Sequence, residues 1–352
     1  MALTQVPNAM LSSDLQGVTP GFKNRIINGA MMIDQRNAGA SFSISANNNA
    51  YVVDRFRCDA PVGQGITAQQ VVDAPAGFYN SFKYTAGTAS TNAGDNSQIF
   101  HSIEGVNVAD LNWGTANAQP ITFSFWAKSS LAGTFGLTME NSAQNRCYVT
   151  SYSLPVANTW TYITKTILGD TTGTWLKDNG RGIVFRLDMG GGTSVSGAVT
   201  NAWGSAYYSG VTGAVKLTQN TGATFNITGL QLEKGSVATA FDYRSIGQEL
   251  ALCHRYFEVG VTLIQAYGNN TNGVFGSTPF KAVKRAFPTM TDQGLTYPGQ
   301  ITLSSFTLNA AAPSFADGLS SYQNSMLTAN LGGAPTIGMC RYLSYFTASA
   351  EL

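Results

Sequence analysis

Trp126, Ser124 and Lys128 occupy alternate positions of the segment 121–128. Alternate residues of an extended strand share a face, so an indole would stand between a hydroxyl and an ammonium group. That set suits a sugar: the indole covers the apolar face of a ring while its neighbours hydrogen-bond the hydroxyls. The same indole could instead be covered by a loop or by a neighbouring protomer. A second aromatic set, Trp203, Tyr207 and Tyr208, falls in the Gly- and Ser-rich stretch 190–213. Aromatics on such a loop either present an adhesive surface or pack beneath it. Arg186 and Asp188 alternate within 183–189 and are expected to share the face of Trp126, as an ion pair within the sheet. Trp113 reads as core or interface.

Catalysis finds little to work with. His101 and His254 are the only histidines, and His254 sits beside an apolar helical stripe, which makes it structural. No Ser/His/Asp arrangement can be named. Carboxylates number only 19, and spacing alone pairs none of them for glycoside cleavage. Gly190, Gly191 and Gly192 lack the Lys-Ser/Thr ending and following helix of a phosphate loop. Cys58, Cys147, Cys253 and Cys340 are scattered singly, which signals neither a zinc site nor a disulfide framework. They read as buried thiols suited to assembly in a reducing cytoplasm. The expectation is a non-enzyme without metal or cofactor.

Composition narrows the partners. Charged residues make up 11% of the 352-residue chain and the formal net charge is +1. A typical domain has about 25% charged residues. No basic excess exists to hold nucleic acid. No apolar run approaches the length of a membrane-spanning helix, and residues 1–21 lack the features of a signal peptide.

The elements that must hold these side chains are strands. Period-two segments separated by Gly and Asn clusters run through 23–242, which predicts an antiparallel jelly-roll sandwich. Ile121, Phe123 and Phe125 would face its core, with Phe185 and Leu187. Residues 243–257 break the rhythm. Ile246, Leu250, Cys253 and Phe257 form one helical stripe, Ser245 and Gln248 a capping box, and Gly260 a stop. This helix would link the sandwich to a smaller C-terminal β-domain, 258–352. That domain has strand signals at 259–264, 300–308 and 341–348, and turn signals at Asn269-Asn270, Tyr297-Pro298-Gly299 and Gly332-Gly333. Residues 1–22, with Met10, Leu11 and Leu15, read as an arm ordered by contact with another chain. No fixed-period repeat is present, which argues against a β-helix.

The run Asn24-Arg25-Ile26-Ile27-Asn28-Gly29 with its continuation to Asn37 resembles the opening of phage tail and virion fiber proteins. So do Gly229-Leu230-Gln231-Leu232-Glu233-Lys234-Gly235, the following Phe241-Asp242-Tyr243-Arg244, and 249–257. Phe123-Ser124-Phe125-Trp126-Ala127-Lys128 is similar to the central strand of carbohydrate-binding-module jelly rolls. The resemblance frames residues 24–257. It implies a virion structural protein, often trimeric, assembled in the host cytoplasm. The first expectation is a fiber or adhesion subunit that binds host-surface glycan without cleaving it and joins other virion proteins through the arm. The alternative is a capsid decoration, cement or head-fiber subunit.

Overall fold

The computed structural model describes residues 22–44, 50–61, 63–266, 273–295, 303–309, 324–331 and 340–352. Met10, Leu11 and Leu15 of the expected arm, and the three turn signals of the C-terminal part, lie outside the described residues. The chain forms two compact units, one through residue 244 and one from residue 245, with 33–38 counted in the second. Residues 33–38 were expected in the sandwich and the helix as a linker; both instead belong to the second unit.

The first unit is an antiparallel sandwich. Its strands are β1 (Phe42–Ile44), β2 (Ala50–Val53), β3 (Phe56–Asp59), β4 (Ile66–Val71), β5 (Ser81–Thr85), β6 (Gln98–Glu104), β7 (Ile121–Ser129) and β8 (Gly133–Glu140). They continue with β9 (Cys147–Leu154), β10 (Thr161–Ile167), β11 (Arg181–Asp188), β12 (Ser196–Gly197), β13 (Trp203–Gly204), β14 (Gly210–Val211) and β15 (Thr224–Lys234). One sheet has the order β1-β4-β5-β15-β7-β10, the other β13-β9-β8-β11-β6-β3-β2. The short β12 and β14 pair parallel within the 190–213 stretch, which was read as a loop.

Alternation explains the core. Ile121, Phe123 and Phe125 of β7 are fully buried, as are Phe185 and Leu187 of β11 in the facing sheet. The Phe123 and Phe185 rings meet with centroids 4.7 Å apart, and Phe135 of β8 meets Phe225 of β15 at 5.6 Å. Such contacts join two inner faces into one core. The opposite side of β7 is less open than alternation alone predicts, for Thr122 and Ser124 are buried too. The chain leaving β15 folds back over them: Thr122 Oγ1 donates to Gly235 O at 2.9 Å.

One expectation fails here. Strands β7 and β11 lie in different sheets, so Arg186 and Asp188 do not share the face of Trp126. Nor do they pair. Arg186 Nη2 reaches Glu140 Oε1 of β8 at 2.5 Å. Asp188 accepts the backbone N–H groups of Gly190, Gly191 and Val211. Alternation places a residue relative to its own sheet, not in one of two sheets, and cross-strand neighbours come closer than residues two apart on one strand.

The segments that carry the fiber resemblance clasp one another. Asn24 Nδ2 donates to Leu230 O at 3.0 Å, and Asn24 Oδ1 accepts from the N–H groups of Ile26 and Leu232. Arg244 donates to the carbonyls of Ile26 and Asn24. A Cβ on Gly29 would lie 2.2 Å from Leu230 O, so only glycine lets these backbones approach.

In the second unit, α1 (Ile246–His254) starts at the Ser245–Gln248 capping box. It ends three residues short of the expected Phe257, which opens β16 (Phe257–Ala266). Cys253 is buried and Leu250 half-buried, but Ile246 is 61% exposed rather than packed. It stands in the first turn, one turn beyond the buried part of the stripe. Gly260, expected to stop the helix, sits inside β16, where a Cβ would lie 2.2 Å from the Phe346 ring. The remaining strands are β17 (Gly273–Pro279), β18 (Thr289–Leu295), β19 (Leu303–Asn309), β20 (Asn324–Leu331) and β21 (Cys340–Ser349). They form one antiparallel sheet ordered β18-β21-β16-β17-β20-β19. Glu258 and Lys284 are paired at 2.7 Å inside this unit.

Candidate functional site

The outer face of the first sheet carries a cavity of about 330 Å³. Its floor is Ser124 and Trp126 of β7, Tyr162 of β10 and Gly229 of β15. Register brings them together: Trp126 stands opposite Tyr162 on one side and Thr228 on the other. The register of β15 against β7 shifts between Thr228 and Gln231, and this bulge places Gly229 at the cavity. The Trp126 and Tyr162 rings lie 5.2 Å apart.

Two segments wall the floor. One, 72–80, supplies Phe78; the other, 235–243, supplies Thr239, Phe241 and Tyr243. The second is tied to the sheet by polar side chains of β15. Glu233 accepts from Thr239 N and Oγ1, and Gln231 Oε1 accepts from Asp242 N at 2.8 Å. Tyr243 donates its hydroxyl to Gly77 O at 2.9 Å, which joins the two walls. Phe78, Phe241 and Tyr243 form a mutual aromatic cluster with centroids 4.9 to 5.7 Å apart. Tyr162 is 44% and Tyr243 63% exposed, so the aromatic lining opens to solvent.

Among the described residues no charged side chain lines the cavity. Lys128, expected beside Trp126, binds Asp73 Oδ2 at 2.5 Å and lies over the Trp160 ring. The arrangement can therefore cover an apolar ring face; of its hydroxyls, those of Thr239 and Tyr243 already donate to Glu233 and Gly77 and are left to accept. Its described lining holds no acid, base or nucleophile pair.

The second aromatic set is elsewhere. Trp203 packs against Trp113, Trp175 and Tyr148 at 5.1 to 5.3 Å, and its indole N–H donates to Leu168 O. Tyr208 packs on Cys147, Val149, Val211 and Ala214. Tyr207 lies over the Arg186 guanidinium, 5.5 Å from ring centre to Cζ. Thus Trp126 and Ser124 share a site, Lys128 stands beside it, and Trp203, Tyr207 and Tyr208 do not reach it. The buried Trp113 is core.

His101, Cys58 and Cys147 are buried. His101 stacks between Phe56 and Phe185, and burial, then the Arg55 charge, hold its pKa well below the usual imidazole value. Burial pushes the Cys147 thiol up to about 11 and the Cys58 thiol well above its ordinary value. Among the described residues no group of three His, Cys, Asp or Glu is placed to hold a metal, and no helix is long and apolar enough to cross a membrane.

Phe78, Tyr162, Phe241, Tyr243 and Gly229 were not singled out from the sequence as site residues. Tyr162 had a usable signal, since Tyr162, Thr164 and Thr166 alternate with the buried Ile163 and Ile167. Phe241 and Tyr243 stood in a recognised motif but in no strand pattern.

No family model and no curated protein matches the sequence. Solved structures of similar fold exist. A family 4 carbohydrate-binding module is 14% identical, with 59% of this chain and 98% of that one covered, at a TM-score of 0.28. The family 11 carbohydrate-binding module from Clostridium thermocellum, solved with a β-1,3-1,4-mixed-linked tetrasaccharide, is 11% identical, covering 58% and 100% at 0.30. The N-terminal cellulose-binding domain of a Cellulomonas fimi β-1,4-glucanase is 9% identical, covering 57% and 91% at 0.24. At such scores and identities the site stands on its own geometry.

Proposed function

We propose that this chain is a non-catalytic glycan-binding subunit of a phage virion, a fiber or adhesion protein that holds host-surface glycan at the Trp126 cavity. The observation that carries the reading is the pairing of Trp126 with Tyr162 in a cavity that Ser124 also lines and that has no charged residue among its described lining. Carbohydrate rings bind such aromatic faces, and about 300 Å³ is the lower end of small-molecule sites. The virion role rests on the fiber-like segments within 24–37 and 229–257. Within that role, residues 1–22 attach the chain to other phage proteins, and a homotrimer lets weak sites add by avidity.

A glycan array of bacterial surface polysaccharides probed with the full chain and with Trp126→Ala tests the binding. Retention by the full chain and loss by the variant is expected. A chain that binds nothing, or a variant that binds as well, would sink the reading, as would oligosaccharide released during incubation. The mass in solution, with and without residues 1–22, tests the trimer and the arm. A second reading, a capsid decoration or head-fiber subunit, draws on Val72 and Tyr79, exposed apolar side chains on the segment that walls the cavity. Labelling the protein on intact particles separates head from tail.

A further inference from the structure

The outer face of the second sheet carries a different kind of site. Cross-strand register places Phe100 of β6, Arg186 of β11 and Thr138 of β8 in one row. Gln98 and Glu140 belong to the neighbouring rows on the same three strands. Arg57 of β3 stands opposite Phe100 and Asp59 opposite Gln98. The guanidinium groups of Arg57 and Arg186 lie over Phe100, at 4.5 and 4.9 Å from its centroid. Tyr207 covers Arg186 from the side of the 190–213 stretch.

This cluster is buried and incompletely bonded. Gln98 and Glu140 are 1% exposed and Arg186 4%. Arg186 Nη2 binds Glu140 Oε1, and Gln98 Nε2 binds Asp59 Oδ2 at 2.7 Å. Yet Arg186 Nε, Glu140 Oε2, Gln98 Oε1 and Thr138 Oγ1 have no partner among the described residues. Buried polar atoms in folded proteins are nearly always bonded, and each one left alone is costly. Here a donor, two acceptors and a hydroxyl go unused on adjacent strands. The formal charges of Arg57, Arg186, Asp59 and Glu140 cancel.

We infer that this face is a second binding site, closed by Tyr207, and that it takes a neutral polyhydroxylated ligand such as a sugar. A hydroxyl both donates and accepts, so one ligand hydroxyl can meet Arg186 Nε and another Glu140 Oε2 or Gln98 Oε1. A balanced set of charges gives an anionic ligand no net attraction. Tyr207 lies over Arg186, is hydrogen-bonded to Ser209 and borders the exposed 204–206, while the stretch around it is anchored through Asp188 and Tyr208. Only that ring and its bond to Ser209 must give way for a ligand to reach the unpaired atoms. The site is independent of the Trp126 cavity, which lies on the other sheet.

The test is the NMR signal of the Arg186 Nε–H group in the full chain, titrated with galactose, glucose, N-acetylglucosamine and glucuronate. A neutral sugar should shift this signal in the wild type and equally in Trp126→Ala, with glucuronate weaker. Tyr207→Ala should fold and bind that sugar about tenfold more weakly, through loss of the covering ring. A signal unmoved by every sugar overturns the site, and a response lost in Trp126→Ala assigns it to the other cavity and does the same. Glucuronate binding as tightly as the neutral sugars overturns the ligand class. Crystals soaked in the responding sugar supply a variant-free check, in which ordered water alone at the unpaired atoms would refute the proposal.

Discussion

Gly229 lies directly under the ring of Phe78, so that a Cβ built on it would stand 2.6 Å from Phe78 Cζ. Its φ of +64° belongs to the left-handed region as well. One residue without a side chain thus lets β15 bulge and lets an aromatic wall settle on the sheet. Gly229→Ala should push Phe78 out of place and add about 1–2 kcal/mol of backbone strain. The expected result is a folded protein, modestly less stable in urea, with weakened glycan binding. Unchanged binding in this variant would show that the Phe78 wall plays no part in holding ligand.

Trp126→Ala separates binding from stability. The indole is half-buried and packs mainly on Tyr162. Its loss should lower glycan affinity about 5- to 150-fold, since a stacked aromatic contact is worth about 1–3 kcal/mol. Phe123→Ala, on the inner face of the same strand, should cost roughly 3–5 kcal/mol because the ring is fully buried. Comparing urea midpoints with isothermal titration checks the pair. Equal losses of stability in the two variants would contradict the assigned faces of β7.

Much of the sandwich was legible because β7 and β11 alternate cleanly, and alternation is a local property of the backbone. The inner faces followed from it, Phe123 and Phe185 included. What alternation could not give was the sheet to which each strand belongs, nor its cross-strand neighbours, and so Arg186 was placed on the face of Trp126 and matched with Asp188 instead of Glu140. The site was half legible for the same reason. Trp126 and Ser124 are on a strand with a readable period. Phe78, Phe241 and Tyr243 reach the cavity from segments without one, through long-range ties such as Tyr243 to Gly77. Trp203, Tyr207 and Tyr208 look alike in a Gly-rich stretch, yet each meets a different partner. Composition describes such a stretch without fixing where its rings go.

Asn24 is the hinge of the motif clasp. Its side chain meets three backbone groups, the carbonyl of Leu230 and the N–H groups of Ile26 and Leu232, while itself buried. Asn24→Ala leaves these groups without their partner, at roughly 2–4 kcal/mol in total. Asn24→Asp keeps the acceptor and loses the donor, so it should be milder. Thermal unfolding of both variants gives the order, and an alanine variant as stable as the aspartate one would contradict the clasp.

His101 ties stability to pH. Its folded pKa is held well below the ordinary 6.5, first by burial and then by the Arg55 charge. The unfolded chain takes up a proton near pH 6.5, but the folded chain does not. Protons bound by the unfolded state alone favour unfolding, so stability is fully present above pH 6.5 and falls as pH drops below it. The fall ends only at the depressed folded pKa. Its slope approaches about 1.4 kcal/mol per pH unit for one histidine. His254, also lowered by burial and then by Lys281, should act in the same direction in the second unit. Urea unfolding at pH 7.5, 6.5, 5.5 and 5.0 (from about one unit above to about one and a half below the imidazole value) reads the slope. His101→Phe places a ring of similar shape between Phe56 and Phe185 and should flatten the curve between pH 6.5 and 5. A variant with the wild-type slope would mean that His101 takes up its proton in the folded state, against its position in the core.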